Sequence, residues 1–383
     1  MKNTAARESG LRPESERFHP LRFTLSFVGS VLALLALLAA ANHALNPLVF
    51  SRGALRDVAA ALVQGKHVAV YDPNLDFRGL RREHIRLMPE APDVAIFAGS
   101  RFEVATRNTF PGRSFYNAFG HNDYFEDLFA FVGLLEEANR LPKTLVMSVR
   151  YITFEPIARR ETEEWKMFAP EYQRMAERLG VPVAPFRMTF PRDHYASLLS
   201  LDVAKHGLVQ SFKKTSAPFG ATDKESLPDM DVIHPDGSMS FSAAHAGTFT
   251  AESARKESLG RAEKLKKKSA TQPTDDDKAA LGKLLDHLRS KGVQAVIAIT
   301  PHHPAFWQAI AHENYGKALS QLEQTVRQLA ALHDAAFVGS FDPKAAGCQE
   351  RSFRDYIHLD EACLKSIFDQ IPPITADKTA IKP

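Results

Sequence analysis

The sequence predicts an α/β fold built on a mainly parallel sheet and preceded by one apolar N-terminal helix. Three observations predict it. Four short runs, 94–98 (VAIFA), 144–149 (TLVMSV), 293–300 (VQAVIAIT) and 335–339 (AAFVG), are almost continuously apolar rather than alternating. Strands of parallel sheets read this way, because both of their faces are covered. Helical stretches separate the runs, as parallel crossovers require. Finally, residues 24–41 carry no charge and are almost wholly apolar, and the stretch continues with interruptions to Phe50.

That N-terminal stretch is close to the roughly 20 residues that cross a bilayer as a helix. Lys2, Arg7, Arg12, Arg17 and Arg22 precede it. Positive residues stay cytoplasmic, so 1–22 reads as a cytoplasmic segment, 23–50 as a transmembrane signal anchor and 51–383 as an extracytoplasmic domain. The expected place is the inner membrane, single-pass, with the main domain periplasmic. The alternative is a cleaved signal peptide, with Ala39-Ala40-Ala41 suited to a peptidase. With 383 residues, 44% hydrophobic and 24% charged, the chain can bury a full core. Its net charge of +3 is small for this length and makes no case for nucleic acid. No Cys-x-x-Cys pair exists, and His121, Asp123, His302 and His303 lack ligand spacing, so no metal site is expected. Nothing in the pattern calls for a cofactor.

Residues 51–65 read as a helix with Leu55, Val58, Ala59, Leu62 and Val63 on one side. Residues 66–72 read as an edge strand, and 81–87 as a helical patch in a polar, Arg-rich stretch. After the strand 94–98, residues 110–120 read as a loop with a short strand at 114–117. Asp123 and Glu126 fit a capping box for a helix ending near 139. From 152 to 274 the pattern changes to a polar, largely helical insertion over the sheet's active edge. It holds helices at 161–179, with Pro170 a break or restart, and at 195–212. An Asp-Gly turn marks a hairpin within 231–241. The charged stretch 256–278 reads as a solvated helix or flexible excursion. The sheet resumes after a helix at 275–290, stopped by Gly292. Residues 305–332 read as one helix and 361–370 as the last.

The first strand ends in Gly99-Ser100, and Gly99 permits a sharp turn there. Ser100 thus stands at the carboxyl end of a strand, the usual ligand position in open α/β sheets. Late in the chain, Asp355-Tyr356-Ile357-His358 puts a carboxylate and an imidazole at i and i+3. Gly-Ser alone is ordinary turn chemistry, and Asp-x-x-His alone is an ordinary helix start. Together, and in this order, they form a candidate triad in which His358 takes the Ser100 proton and Asp355 orients the imidazole. A tetrahedral oxyanion needs preorganised donors, each worth about 2.7–4 kcal/mol. The candidates are backbone N–H groups near Ser100 and Gly120, with Arg101 or Arg150 adding charge. His302 and His303 either line an acceptor cleft or are satisfied loop histidines. Cys348 and Cys363 flank the Asp-His pair; in an oxidising compartment they form either a bracing disulfide or two free thiols.

The strand with Gly99-Ser100-Arg101, the Tyr116-Asn117-Ala118-Phe119-Gly120 loop and the terminal Asp355-Tyr356-Ile357-His358-Leu359 together resemble the SGNH (GDSL-like) hydrolase superfamily. The resemblance covers roughly 92–370 without the insertion. It is strongest to the membrane-anchored branch related to alginate acetylation and teichoic-acid alanylation proteins. It implies a three-layer α/β/α sandwich, with Ser100 as nucleophile, His358 as base and Asp355 as acid, and ester cleavage or acyl transfer as activity. It also implies a polysaccharide substrate and a multi-pass membrane acyltransferase as acyl donor. The chain departs from the pattern in two places. Ala98-Gly99-Ser100 lacks the acid of Gly-Asp-Ser, and no Asn stands near Val149-Arg150 where the superfamily places an oxyanion donor. Asn122 mimics that donor but lies too early, and reads better as a helix cap. Three functions stay open: a polysaccharide O-acyltransferase, a periplasmic carbohydrate esterase, and a non-catalytic polysaccharide-assembly component.

Overall fold

The computed structural model describes residues 20–45, 51–70, 75–120, 124–156, 164–183, 197–213 and 219–373. Besides short single turns, the chain runs α1 (Pro20–Leu45), α2 (Arg52–Val63), β1 (His67–Val70), α3 (Phe77–Leu87), β2 (Val94–Gly99), β3 (Phe115–Gly120), α4 (Phe125–Glu137), β4 (Thr144–Ser148), α5 (Ala169–Arg178), α6 (Leu201–Lys213), β5 (Phe219–Thr222), β6 (Asp231–Ile233), β7 (Met239–Ser240), α7 (Ala251–Leu265), α8 (Asp275–Ser290), β8 (Gln294–Ile299), α9 (Pro304–Ile310), α10 (Asn314–Leu332), β9 (Ala336–Gly339) and α11 (Glu361–Phe368).

The main sheet has the order β3-β2-β4-β8-β9, and every pairing in it is parallel. The chain adds β3 on one side of β2, then returns to place β4 on the other. The ends of β2 and β4 therefore form the switch point where open α/β sheets gather ligands. Strand β2 is buried on both faces. Val94, Ile96 and Ala98 pack with Val296, Leu364 and Ile367 on one side. Ala95 and Phe97 pack with Phe131, Leu284 and Leu319 on the other. Two cores back to back are the physical reason the strand pattern does not alternate.

A second, antiparallel sheet has the order β5-β1-β6-β7. This corrects one expectation: strand β1 is not an edge strand but lies between two strands supplied by the insertion. Val68 packs with Leu55, Val58, Leu62 and Ile233 in a small core of its own. A run of four residues is too short to show a strand period, so β5 was hidden. The expected hairpin is present as β6 and β7, and its Asp236-Gly237 turn docks on the outer edge of the main sheet. Asn117 N–H donates to the Asp236 carbonyl at 2.7 Å. Gly237 has φ +82°, and a Cβ there would meet the Asn117 carbonyl at 2.3 Å.

Helix α1 is long and apolar enough to span a membrane by length and composition. At 1.5 Å per residue its 26 residues reach about 39 Å, against a hydrocarbon core of about 30 Å. Near its C-terminal end, buried Asn42 donates to the carbonyls of Leu198 (2.7 Å) and Ser200 (3.0 Å), and α6 packs beside it. Most of segment 1–22 lies outside the described residues.

Smaller differences have local causes. Asp123 lies outside the described residues; α4 begins after Tyr124, whose N–H donates to Asp127 at 3.0 Å, so the capping acid is Asp127 rather than Glu126. Pro170 starts α5 in its first turn, where its missing N–H costs nothing. The expected helix 305–332 is two helices. Gly316 approaches the Ile310 carbonyl so closely that a Cβ would lie 2.1 Å from it.

Candidate active site

Ser100 opens a single 3₁₀ turn, Ser100–Phe102, at the end of β2. Its hydroxyl lies 2.9 Å from His358 Nε2, and His358 Nδ1 lies 2.5 Å from Asp355 Oδ2. The three residues thus form one continuous relay across 258 residues of sequence. The Asp-His pair sits in a tight bend rather than a helix. Phe353 and Leu359 bridge its base, and Arg354 N–H donates to the His358 carbonyl at 2.9 Å. Asp355 Oδ1 accepts from the N–H groups of Ile357 and His358, both at 2.8 Å. Burial alone would raise the Asp355 carboxyl. The hydrogen bond and charge of His358, with the two backbone donors, outweigh it and bring the carboxyl to about 2. Asp355 is therefore held ionised and aimed at the imidazole. A disulfide joins Cys348 to Cys363, with Cα atoms 5.5 Å apart, and ties the two ends of this segment together.

Gly99 matters for a reason other than turn freedom. Its φ is −73°, open to any residue. A Cβ there would instead meet the Arg150 guanidinium carbon at 2.8 Å. Buried Arg150 thus lies across the backbone just before Ser100. Gly120, in register with Gly99, is approached in the same way by Arg81. Arg81 donates to the carbonyls of Phe119 (3.0 Å) and Ala98 (3.3 Å), joining the ends of β2 and β3. Arg101 is fully buried and points across the sheet, with Nη1 on Thr300 Oγ1 at 3.2 Å. Asn122 lies outside the described residues.

His302 and His303 are both buried. His303 caps α9, accepting from Ala305 N–H at 3.1 Å. His302 is buried and stacks on Phe306 with centroids 4.9 Å apart. Burial, then the Arg101 charge, holds it neutral.

Sequence reasoning missed three parts of the site. Asn117 Nδ2 donates to the carbonyls of Phe102 (2.8 Å) and Ala105 (2.9 Å), fixing the turn that carries Ser100. Glu103 accepts from Arg354 at 2.8 Å beside the triad; burial raises its carboxyl against the pull of His358 and Arg354. Helix α7, expected to be solvated, crosses the triad loop. Arg261 lies 5.1 Å over the Tyr356 ring, and Arg255 pairs with Glu350 at 2.9 Å. Burial, then the Asp355 charge, raises Glu257 on the same helix. The legible signal was Ala254, Ser258 and Ala262, a small-residue face at spacing four, which the structure buries.

In comparisons with known proteins, no protein-family model matches the chain, and no curated protein matches it.

Proposed function

We propose that this protein is a membrane-anchored serine O-acyltransferase of SGNH type, moving an acyl group, acetyl in the first instance, onto a cell-surface or exported polysaccharide. The observation that carries the reading is the Ser100–His358–Asp355 relay, 2.9 and 2.5 Å, at the sheet's switch point. His358 Nε2 accepts the hydroxyl proton as Ser100 Oγ attacks the ester carbonyl of the donor. Asp355 stabilises the imidazolium that forms. Arg150, lying against Gly99, supplies fixed positive charge beside the tetrahedral oxyanion. The oxyanion collapses, the donor oxygen leaves with the proton from His358, and an acyl-serine remains. An acceptor hydroxyl, deprotonated by His358, then takes the acyl group and frees Ser100.

The surroundings support the wider reading. The two faces of helices over the parallel sheet fit the three-layer SGNH sandwich. The disulfide suits an extracytoplasmic domain. Docking of Asn42 on the insertion favours an anchor that is retained over one that is cleaved. An extracytoplasmic acyltransferase has no soluble activated donor at hand, which is why a multi-pass membrane acyltransferase is the partner proposed.

The experiment is a burst assay with para-nitrophenyl acetate on the full chain in detergent. A burst of nitrophenol equal to the enzyme concentration, absent in Ser100→Ala, is the expected result. Acceleration of the slow phase by an oligosaccharide, with acetyl on the sugar, selects transfer over hydrolysis. No burst from folded wild type would favour a non-catalytic assembly role.

A further inference from the structure

Arg101 presents an unusual electrostatic problem. It is fully buried, and a guanidinium stays charged inside proteins. Only Nη1 is held, by the neutral hydroxyl of Thr300. Nε and Nη2 have no hydrogen-bond partner, while the Glu155 carboxylate acts on neighbouring Tyr315. An uncompensated buried charge is strongly unfavourable, so the surrounding fold holds it at a cost.

The unpartnered edge has a specific chemistry. Nε–H and Nη2–H point the same way and match the two oxygens of a carboxylate. Three other arginines in this molecule use that edge for that purpose. Arg78 grips Asp127 (3.1 and 2.8 Å), Arg82 grips Glu171 (2.9 and 3.1 Å) and Arg174 grips Glu137 (2.8 and 3.0 Å). Further unpartnered buried groups adjoin Arg101. The hydroxyl of Tyr315 has no partner either, and the His302 ring has only the Phe341 backbone beside it. His302 stacks on Phe306, and Tyr315 packs edge-on to the same ring. Thr300, which holds Arg101, stands two residues before His302, and the Phe306 ring joins His302 to Tyr315. Arg101 follows Ser100 directly and reaches from the end of β2 to the end of β8, across the mouth of β4. The neighbouring Tyr151, in ring contact with Tyr315, is partly exposed and marks the side open to solvent.

We infer that Arg101, with His302 and Tyr315, forms a carboxylate-binding subsite beside the nucleophile. The inference rests on the acyl-transfer reading only for what the carboxylate does: it is the free acyl acid or a carboxylate carried by the acceptor sugar. Binding itself does not need Ser100 to be reactive, so the test uses the full-length Ser100→Ala protein in detergent. Failure of acyl transfer and failure of the subsite are then separate results.

The probes are sodium acetate and sodium glucuronate, with sodium chloride, acetamide and glucose as controls at equal pH and ionic strength. Thermal unfolding and titration calorimetry read binding. At least one carboxylate should raise the unfolding midpoint by several degrees, while the controls leave it unmoved. Adding Arg101→Met should weaken that binding at least tenfold, and adding Tyr315→Phe a few-fold. Acetate as the tighter ligand identifies the acyl acid; glucuronate identifies the sugar carboxylate. If Arg101→Met fails to fold, the Tyr315→Phe and acetamide arms still decide. Equal behaviour of carboxylates, chloride and neutral analogues, or full binding without Arg101, would overturn the inference.

Discussion

Ser100 is held by its neighbours more than by its own bonds. Asn117 fastens the turn behind it, Arg150 lies on the glycine before it, and His358 meets its hydroxyl. Asn117→Ala leaves the Phe102 and Ala105 carbonyls without their donor. It should cost about 2 kcal/mol or more in urea unfolding and slow acylation of Ser100. Asp355 contributes at the same scale. A carboxyl lowered from 3.8 to about 2 stabilises the fold fully above its ordinary range. That contribution, about 2 kcal/mol, is lost as pH falls through the folded value. Asp355→Asn should abolish this acid-dependent loss in unfolding measured between pH 5 and 2, and reduce acylation by about 10⁴-fold at neutral pH. An unchanged acylation rate would remove Asp355 from the relay.

At the scale of elements, the triad loop owes its shape to the bridge between Phe353 and Leu359 and to the disulfide. Replacing both cysteines by serine opens a closure of 15 residues. It should lower stability by about 3 kcal/mol, measured by denaturant unfolding, and slow acylation of Ser100 as the loop loosens. The legibility of the fold also divides by element. The four apolar runs were readable because burial on both faces writes a continuous pattern, and the Ser, Asp and His were readable because their order is local to strand end and loop. The second sheet was not, because His67–Val70 pairs only with strands some 150 residues later. Nor was the role of α7. Its surface is charged, and only three small side chains record the face that packs. Arg150, Asn117 and Glu103 owe their places to tertiary approach, which spacing does not encode.

At the scale of the whole molecule, the anchor and the insertion meet. Outside α1, five large apolar side chains are exposed among the described residues; Leu199 and Leu201 flank Ser200 at the Asn42 contact, and Leu208 lies further along α6. If α1 spans the membrane, these leucines lie at a membrane surface. A polarity-sensitive label at Leu201→Cys, in full chain reconstituted in vesicles, should be quenched by a lipid-borne quencher. A label at exposed Leu332→Cys should not be, and equal quenching at both sites would contradict the orientation. The proposed relay activates one serine, Ser100. The most direct measurement is intact-mass analysis after treatment with a fluorophosphonate, comparing wild type, Ser100→Ala and His358→Ala. One adduct per wild-type chain, mapped to Ser100, and none in either variant is the expected result. A folded wild type without an adduct, or an adduct that survives loss of Ser100 or His358, would contradict it.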